Sequence, residues 1–312
     1  MIVQEAACDM RNGSAPCRRS PPTRRTDVRG IIRLLETRLR EAGISTARVE
    51  AEWLLAGSLG VTRTELYLLE TPVAGLVLES VWELLERRVR GEPLQYLLGS
   101  TEFCGHRLVV TPAVFIPRPE TEIVAAQAIQ ALRGMVRQGI RAPRVLELGT
   151  GSGNLAITLA NAVPACVVVA VELSWEALRV ARTNVSAQGI EKQVHLLQAD
   201  WTQGVRGPVD LIVSNPPYIV REHADRLVRR RLGDPRLSLD GGPDGLSLYR
   251  RLVVETPRLL AHGGMLVVEC AETQPEPLRQ LIMGCSWAKR VHIFEDLAGR
   301  PRGLCVHAKN NF

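Results

Sequence analysis

The segment Ser214-Asn-Pro-Pro-Tyr-Ile219 closes a short apolar run, Val209-Asp-Leu-Ile-Val213. Pro216 and Pro217 each fix φ at about −65° and donate no backbone hydrogen bond, so a strand must stop there. Asn215 is held extended by the proline that follows it. The product is a stiff turn carrying one side-chain amide, one bare carbonyl and one aromatic ring. In open α/β sheets, ligands bind at such C-terminal strand ends. Taken alone, Asn-Pro is also a common way to begin a surface turn.

Upstream, Arg144-Val-Leu-Glu-Leu-Gly-Thr-Gly-Ser-Gly153 runs a branched apolar strand into three glycines at alternate positions. The helical stretch Asn154–Ala160 follows. Gly149, Thr150, Gly151, Ser152 and Gly153 therefore form a strand-to-helix loop whose backbone a ligand can approach closely. The Gly-x-Gly-x-Gly spacing differs from the Gly-x-Gly-x-x-Gly of dinucleotide sites, which disfavours a nicotinamide cofactor. A second buried strand, Cys166–Val171, ends in Glu172, about twenty residues after the loop, where an acid can accept hydrogen bonds from a ribose diol. The competing reading of Glu172 is an ordinary acid ahead of a helix capped by Ser174. Val194–Gln198 reads as a third strand. Asp200 and Trp201 then stand where an adenine can be bonded and covered, and plain core packing is the alternative for Trp201.

These signals must be carried by strands alternating with helices over residues 144–270. The stretch Leu248–Leu260 is amphipathic, and Gly264–Glu269 is a further strand. The final stretches 290–294 and 302–307 pair antiparallel at the sheet's edge. The fold class is therefore α/β, a mostly parallel sheet covered on both faces.

With these residues in view, the chain resembles the class I S-adenosylmethionine-dependent methyltransferases, and among them the glutamine methyltransferases that modify peptide chain release factors. Four more stretches carry the likeness: Glu92–Gly99, Phe115-Ile-Pro-Arg-Pro-Glu-Thr-Glu122, Leu239–Leu246 with Tyr249 and Arg250, and Asp296–Arg300. The Asn-Pro-Pro-Tyr element is shared with DNA and RNA amino-methyltransferases, so it identifies a chemistry and not a substrate. The chain departs from the family pattern at Glu147 and Glu172, where Asp is common, and at Asp234-Pro, where Glu-Pro is usual. It departs again at Arg229-Arg-Arg231 and at Cys270–Gln274. The resemblance implies a seven-stranded Rossmann-like sheet preceded by a small all-α domain. It implies S-adenosylmethionine as cofactor, bound by Gly149–Gly153, Glu172, Trp201 and Asn215. It also implies the glutamine of a Gly-Gly-Gln segment in class I release factors as substrate. The alternatives are a ribosomal-protein glutamine and a nucleic-acid adenine flipped from its stack.

The chemistry follows from residue types. A primary amide nitrogen is a poor nucleophile because its lone pair is delocalised into the carbonyl. The Asn215 side-chain oxygen and the Pro216 backbone oxygen are two acceptors for its two N–H groups. Proximity and preorganised dipoles are then the main catalytic contributions, with no separate strong base. Tyr218 offers a face against the flat amide, and Pro217 stiffens the turn.

At 312 residues the chain has room for two domains. Residues 1–26 are basic and rich in Ser and Pro, and read as a disordered extension. Residues 27–100 read as a helical, substrate-recognising domain, with Ile31, Leu34, Leu35 and Leu39 on one face and Val49, Trp53 and Leu54 following. Residues 101–117 form a hairpin linker and 118–312 the methyltransferase domain. No apolar run is long enough to span a membrane. Seven cysteines without Cys-x-x-Cys pairs point to a reducing, cytoplasmic setting and no metal. The expected state is a monomer that needs no nucleic acid. Arg229–Arg231 reads as a solvated helix face, with contact to a phosphate backbone or an acidic partner as its alternative.

Overall fold

The computed structural model describes residues 27–69, 75–229 and 233–310. The expected extension over residues 1–26 lies outside them, as do Arg230, Arg231 and the side chain of Arg229. The chain divides into two compact units between Val89 and Arg90.

The first unit holds α1 (Val28–Glu41), α2 (Ala47–Leu59), α3 (Arg63–Leu66) and α4 (Gly75–Val89). Asp27 caps α1 by accepting from the Gly30 N–H at 2.9 Å, and Thr62 and Glu65 form a capping box on α3. The buried face of α1 is Val28, Ile31, Ile32, Leu35 and Leu39, and that of α2 includes Ala47, Ala51, Leu54 and Leu55. Both follow the helical period. Three residues expected on the apolar faces lie outward instead: Leu34, Val49 and Trp53 are each 42% exposed. Their neighbours at helical spacing already fill the stripe. Two buried acids on α2 are paired: Arg88 donates to Glu50 at 2.6 Å, and Arg48, Arg63 and the Tyr67 hydroxyl donate to Glu52.

The second unit begins with α5 (Leu94–Leu98) and an antiparallel hairpin, β1 (Ser100–Phe103) and β2 (His106–Val109). Its tight turn places Cys104 and Gly105 at positive φ, as a two-residue connection between twisted strands requires. Then follow α6 (Thr121–Arg137), β3 (Arg144–Leu148), α7 (Asn154–Ala162), β4 (Val167–Glu172), α8 (Trp175–Ala187), β5 (Val194–Gln198) and β6 (Val209–Ser214). The remainder is α9 (Arg221–Arg229), α10 (Ser247–Leu259), β7 (Leu260–Glu269), α11 (Pro275–Met283), β8 (Ala288–Glu295) and β9 (Pro301–Ala308).

Seven strands form one sheet in the order β5-β4-β3-β6-β7-β9-β8. The pairings from β5 to β7 are parallel, and those of β9 with β7 and β8 are antiparallel. The expected α/β class with an antiparallel edge is therefore present, and β9 lies inside β8. Side chains alternate between two cores, as the two-residue period of a strand dictates. Val145, Leu211, Val213, Val267 and Cys305 face the core shared with α6 and α7. Leu146, Ile212, Leu266, Val268, Leu304 and Val306 face that of α10 and α11. Strand order reverses between β3 and β6, so the crevice at their C-terminal ends is the place for a ligand.

Candidate active site

At the end of β3 the glycine loop turns with φ of +75°, +56° and +83° at Gly149, Gly151 and Gly153. Side chains resist these left-handed values, which explains the residue choice. The loop is tied down from three sides. The Gly149 and Thr150 N–H groups both donate to the Val171 carbonyl, at 2.9 and 3.0 Å. The Thr150 hydroxyl and the Ala156 N–H donate to Glu147, at 2.7 and 3.1 Å. Asn184 on α8 donates to the Ser152 carbonyl at 2.9 Å and exchanges hydrogen bonds with both backbone groups of Val109. Glu147 is fully buried, and burial pushes its carboxyl up to about 7 against the pull of Thr150 and Ala156.

Glu172 at the end of β4 reaches back to the loop. One carboxylate oxygen accepts from the Gly151 N–H at 2.9 Å and the other from the Ser174 N–H at 3.0 Å. Ser174 does cap α8, accepting from Ala177 at 3.2 Å. The cap and the loop contact coexist, and each carboxylate oxygen keeps a lone pair for a further donor. Trp201 follows β5 with φ +60°, strained for so bulky a residue. Its indole N–H is buried and has no hydrogen-bond partner among the described residues. Asp200 beside it is held by Arg251 at 2.8 Å.

Asn215 begins the turn after β6. Its amide nitrogen donates to the Thr121 hydroxyl at 3.1 Å, which leaves Oδ1 without a donor among the described residues. The Pro216 carbonyl likewise receives no backbone hydrogen bond among them. The Tyr218 hydroxyl donates to Glu269, at the end of β7, at 3.4 Å. Glu269 is 3% exposed and its second oxygen is unpartnered. Burial pushes this carboxyl up to about 7, while the Thr121 and Tyr218 hydroxyls pull against the rise. Tyr218 is held protonated by burial and by that neighbouring acid.

One cavity of about 290 Å³ is lined by Gly149, Thr150, Gly151, Ser152, Glu172, Trp201, Asn215, Pro216, Pro217 and Tyr218. Gly153 is the expected site residue absent from its wall. It turns the chain into α7, with Ala181 and Ile157 at 3.5 Å from where a Cβ would stand. A second cavity of about 400 Å³ shares Phe115, Tyr218, Ile219 and Leu239 with the first and is lined by Arg118, Glu120, Glu269 and Arg302.

Four residues at this centre escaped the reading of site residues from sequence: Thr121, Asn184, Asp234 and Glu269. Asp234 accepts from the Tyr96 hydroxyl, the Ile116 N–H and Arg118 at 3.1, 3.2 and 2.5 Å, which holds the 115–118 segment. Gln274, in the departing loop after β7, donates to the carbonyls of Tyr218 and Gly245 at 3.0 and 3.2 Å. Gly241 packs so closely that a Cβ there would stand 2.8 Å from the Tyr218 backbone. Asp296 accepts from Arg302 at 2.9 Å and so helps to hold it at the second cavity. Burial pushes the Cys270 thiol up to about 12, which keeps it a thiol at neutral pH. No metal-binding cluster occurs among the described residues.

The chain matches the family models of the PrmC N-terminal domain over residues 31–99 and the methyltransferase small domain over residues 127–234. It is 37% identical to the release factor glutamine methyltransferase of Moorella thermoacetica, over 87% of this chain and 95% of that protein. It is 39% identical to the enzyme of the same name from Bordetella pertussis, over 86% and 97%. Among solved structures, the hMettl16 catalytic domain in complex with the MAT2A 3′UTR hairpin 6 aligns with a TM-score of 0.52 at 15% identity, covering 74% of this chain and 83% of that one. That likeness concerns the fold alone. Identity of this level along nearly the whole length of its relatives shows that the chain belongs to the release factor glutamine methyltransferase family.

Proposed function

We propose that this chain methylates the side-chain nitrogen of the glutamine in the Gly-Gly-Gln segment of class I peptide chain release factors, acting as a cytoplasmic monomer. The observation that carries the reading is a pair of acceptors, on one rigid turn, that have no donor among the described residues. These are Asn215 Oδ1 and the Pro216 carbonyl, on the wall of the cavity that also holds the glycine loop and Glu172. The family's shared name supports the substrate.

The donor set fits S-adenosylmethionine. The glycine loop offers close backbone approach, Glu172 has lone pairs for ribose hydroxyls, and Trp201 offers an apolar face with an N–H that has no partner among the described residues. Gly149, Thr150, Gly151 and Ser152 would line its binding site, and Gly153 shapes the loop. The cofactor supplies an electrophilic methyl on a sulfonium. Asn215 and Pro216 each accept one N–H of the acceptor amide and aim its nitrogen into the cavity. Charge developing on that nitrogen strengthens both hydrogen bonds, and one proton leaves to solvent after transfer. Tyr218 and Pro217 bound the amide plane, and the second cavity gives the peptide its approach. Flanking glycines let the glutamine extend without side-chain clashes.

Mass spectrometry of a purified release factor, incubated with the chain and the methyl donor, tests the reading. One added methyl on that glutamine is expected. An unmodified release factor together with methylated adenine in duplex DNA, or a methylated ribosomal-protein glutamine, would overturn the substrate.

A further inference from the structure

A large aromatic residue rarely keeps a left-handed backbone, because its Cβ crowds the neighbouring peptide groups. Where one does, the surroundings must hold it there. Trp201 has φ +60° on the wall of the first cavity, in the loop that follows β5. The residues on either side of it are gripped from α10, which carries Arg251, Glu255 and Arg258 at helical spacing on one face.

We infer that this stripe is a clamp in which Arg251, with Arg258, is a positioning residue that keeps Trp201 in the wall of the cofactor cavity; this rests on the methyl-transfer reading above. Arg251 donates to the Asp200 carboxylate at 2.8 Å and to the Asp200 carbonyl at 3.3 Å. That carbonyl belongs to the peptide group that defines φ of Trp201, so its placement bears directly on the left-handed turn. Arg258 donates to the carbonyls of Thr202 and Val205, each at 3.2 Å, and to the Thr202 hydroxyl at 2.5 Å. Glu255 closes the arrangement, accepting from Arg251 at 2.9 Å and from the Thr202 hydroxyl. A planar guanidinium suits this work, because its donors point at fixed angles to several acceptors at once. Neither arginine lines the cavity itself. Their side chains are 32% and 52% exposed, so the ion pairs contribute little to the stability of the whole fold. Their effect falls on one loop: a Trp201 relaxed to an ordinary backbone would carry its ring away from the cavity wall.

Arg251→Met keeps much of the side-chain length and removes every donor. In the full chain it should weaken calorimetric binding of S-adenosylmethionine by roughly 5- to 20-fold. Arg258→Met, at the more exposed end of the stripe, should weaken it by roughly 2- to 5-fold. With an intact release factor, the KM for the methyl donor should rise to match, while kcat and the KM for the release factor stay within about twofold. Thermal unfolding should shift by no more than about 3 °C. In a Trp201→Ala background, Arg251→Met should cost little more, because its effect passes through the indole. A second readout needs neither cofactor nor substrate. The Trp201 indole N–H is buried. Its resonance, assigned by its loss in Trp201→Ala, should exchange slowly with solvent in the wild type and faster in Arg251→Met. Unchanged cofactor affinity in Arg251→Met overturns the inference, as does an undiminished loss in the Trp201→Ala background or an unchanged rate of indole exchange. A large fall in thermal stability together with a fall in kcat would make Arg251 a residue of the general fold, and overturns it equally. A wild-type chain that binds the cofactor yet leaves the release factor unmodified removes the substrate reading instead, and the titration and the indole exchange still decide the clamp.

Discussion

Tyr96 and Asp234 stand 138 residues apart in the chain and meet in a hydrogen bond of 3.1 Å. The same hydroxyl lies 2.6 Å from the Val114 carbonyl, so one proton serves two acceptors. Asp234 is in turn paired with Arg118 at 2.5 Å. Three stretches remote in sequence are thereby fastened around the segment that leads to Thr121.

Asp234→Ala should be the costlier break. It leaves the Ile116 N–H unpaired and deprives Arg118 of its carboxylate, for a loss of about 1–3 kcal/mol. Tyr96→Phe, which removes the hydroxyl alone, should cost about 1 kcal/mol. Thermal unfolding of the two variants checks the order.

Glu172→Ala should weaken cofactor binding by about 1–3 kcal/mol, since the ribose hydroxyls and the Gly151 N–H all lose an acceptor. Calorimetric titration of the folded variant measures it. Unchanged affinity would remove Glu172 from the cofactor site.

Asn215→Ala should cut turnover by roughly 10²–10³, as expected for one preorganised polar group at a reacting centre. Cofactor affinity should fall much less, because the glycine loop and Glu172 are untouched. Asn215→Asp keeps an acceptor oxygen and should retain more activity than Ala. Single-turnover assays with a labelled methyl donor distinguish the three chains.

The buried Glu147 gives the fold a pH dependence of definite sign. Its carboxyl is raised from an ordinary 4.5 to about 7 in the folded chain, so folding favours its protonated form. That stability is fully present below pH 4.5 and is lost as pH rises toward 7, to an extent on the order of 3 kcal/mol. Glu269 has the same sign. Denaturant unfolding at pH 5 and at pH 8 should show a smaller difference for Glu147→Gln than for the wild type. An equal difference would mean that Glu147 does not titrate in this range.

The parts of the site that depend on one stretch of chain were legible from residue types. Three alternating glycines need left-handed backbone, and two prolines after an asparagine need a stop, whatever surrounds them. The unbroken apolar succession of Val145 and Leu146, or of Ile212 and Val213, announces a strand buried on both faces. The partners that orient those groups were not legible. Thr121, Asn184, Asp234 and Glu269 matter through contacts across tens to more than a hundred residues, and no local pattern pairs them. Nor does Trp201 advertise its left-handed backbone. On α1 and α2, surplus apolar residues blurred the phase of the stripe, and Leu34 and Trp53 face outward beside neighbours that face in.

The order β7-β9-β8 carries a consequence for how the molecule comes into being. Chains are made from the N-terminus, and β9 follows β8 yet takes the inner place beside β7, pairing Met265 with His307 and Glu269 with Gly303. Until residues as late as His307 have joined the sheet, β7 keeps an open edge and Glu269 sits on a boundary strand. Asn215, Tyr218 and Glu269 can thus all be synthesised well before the sheet that aligns them is closed. Assembly of the candidate site is tied to the arrival of β9, and a chain cut short before it would keep every polar group of the turn with β7 paired on one side only, to β6.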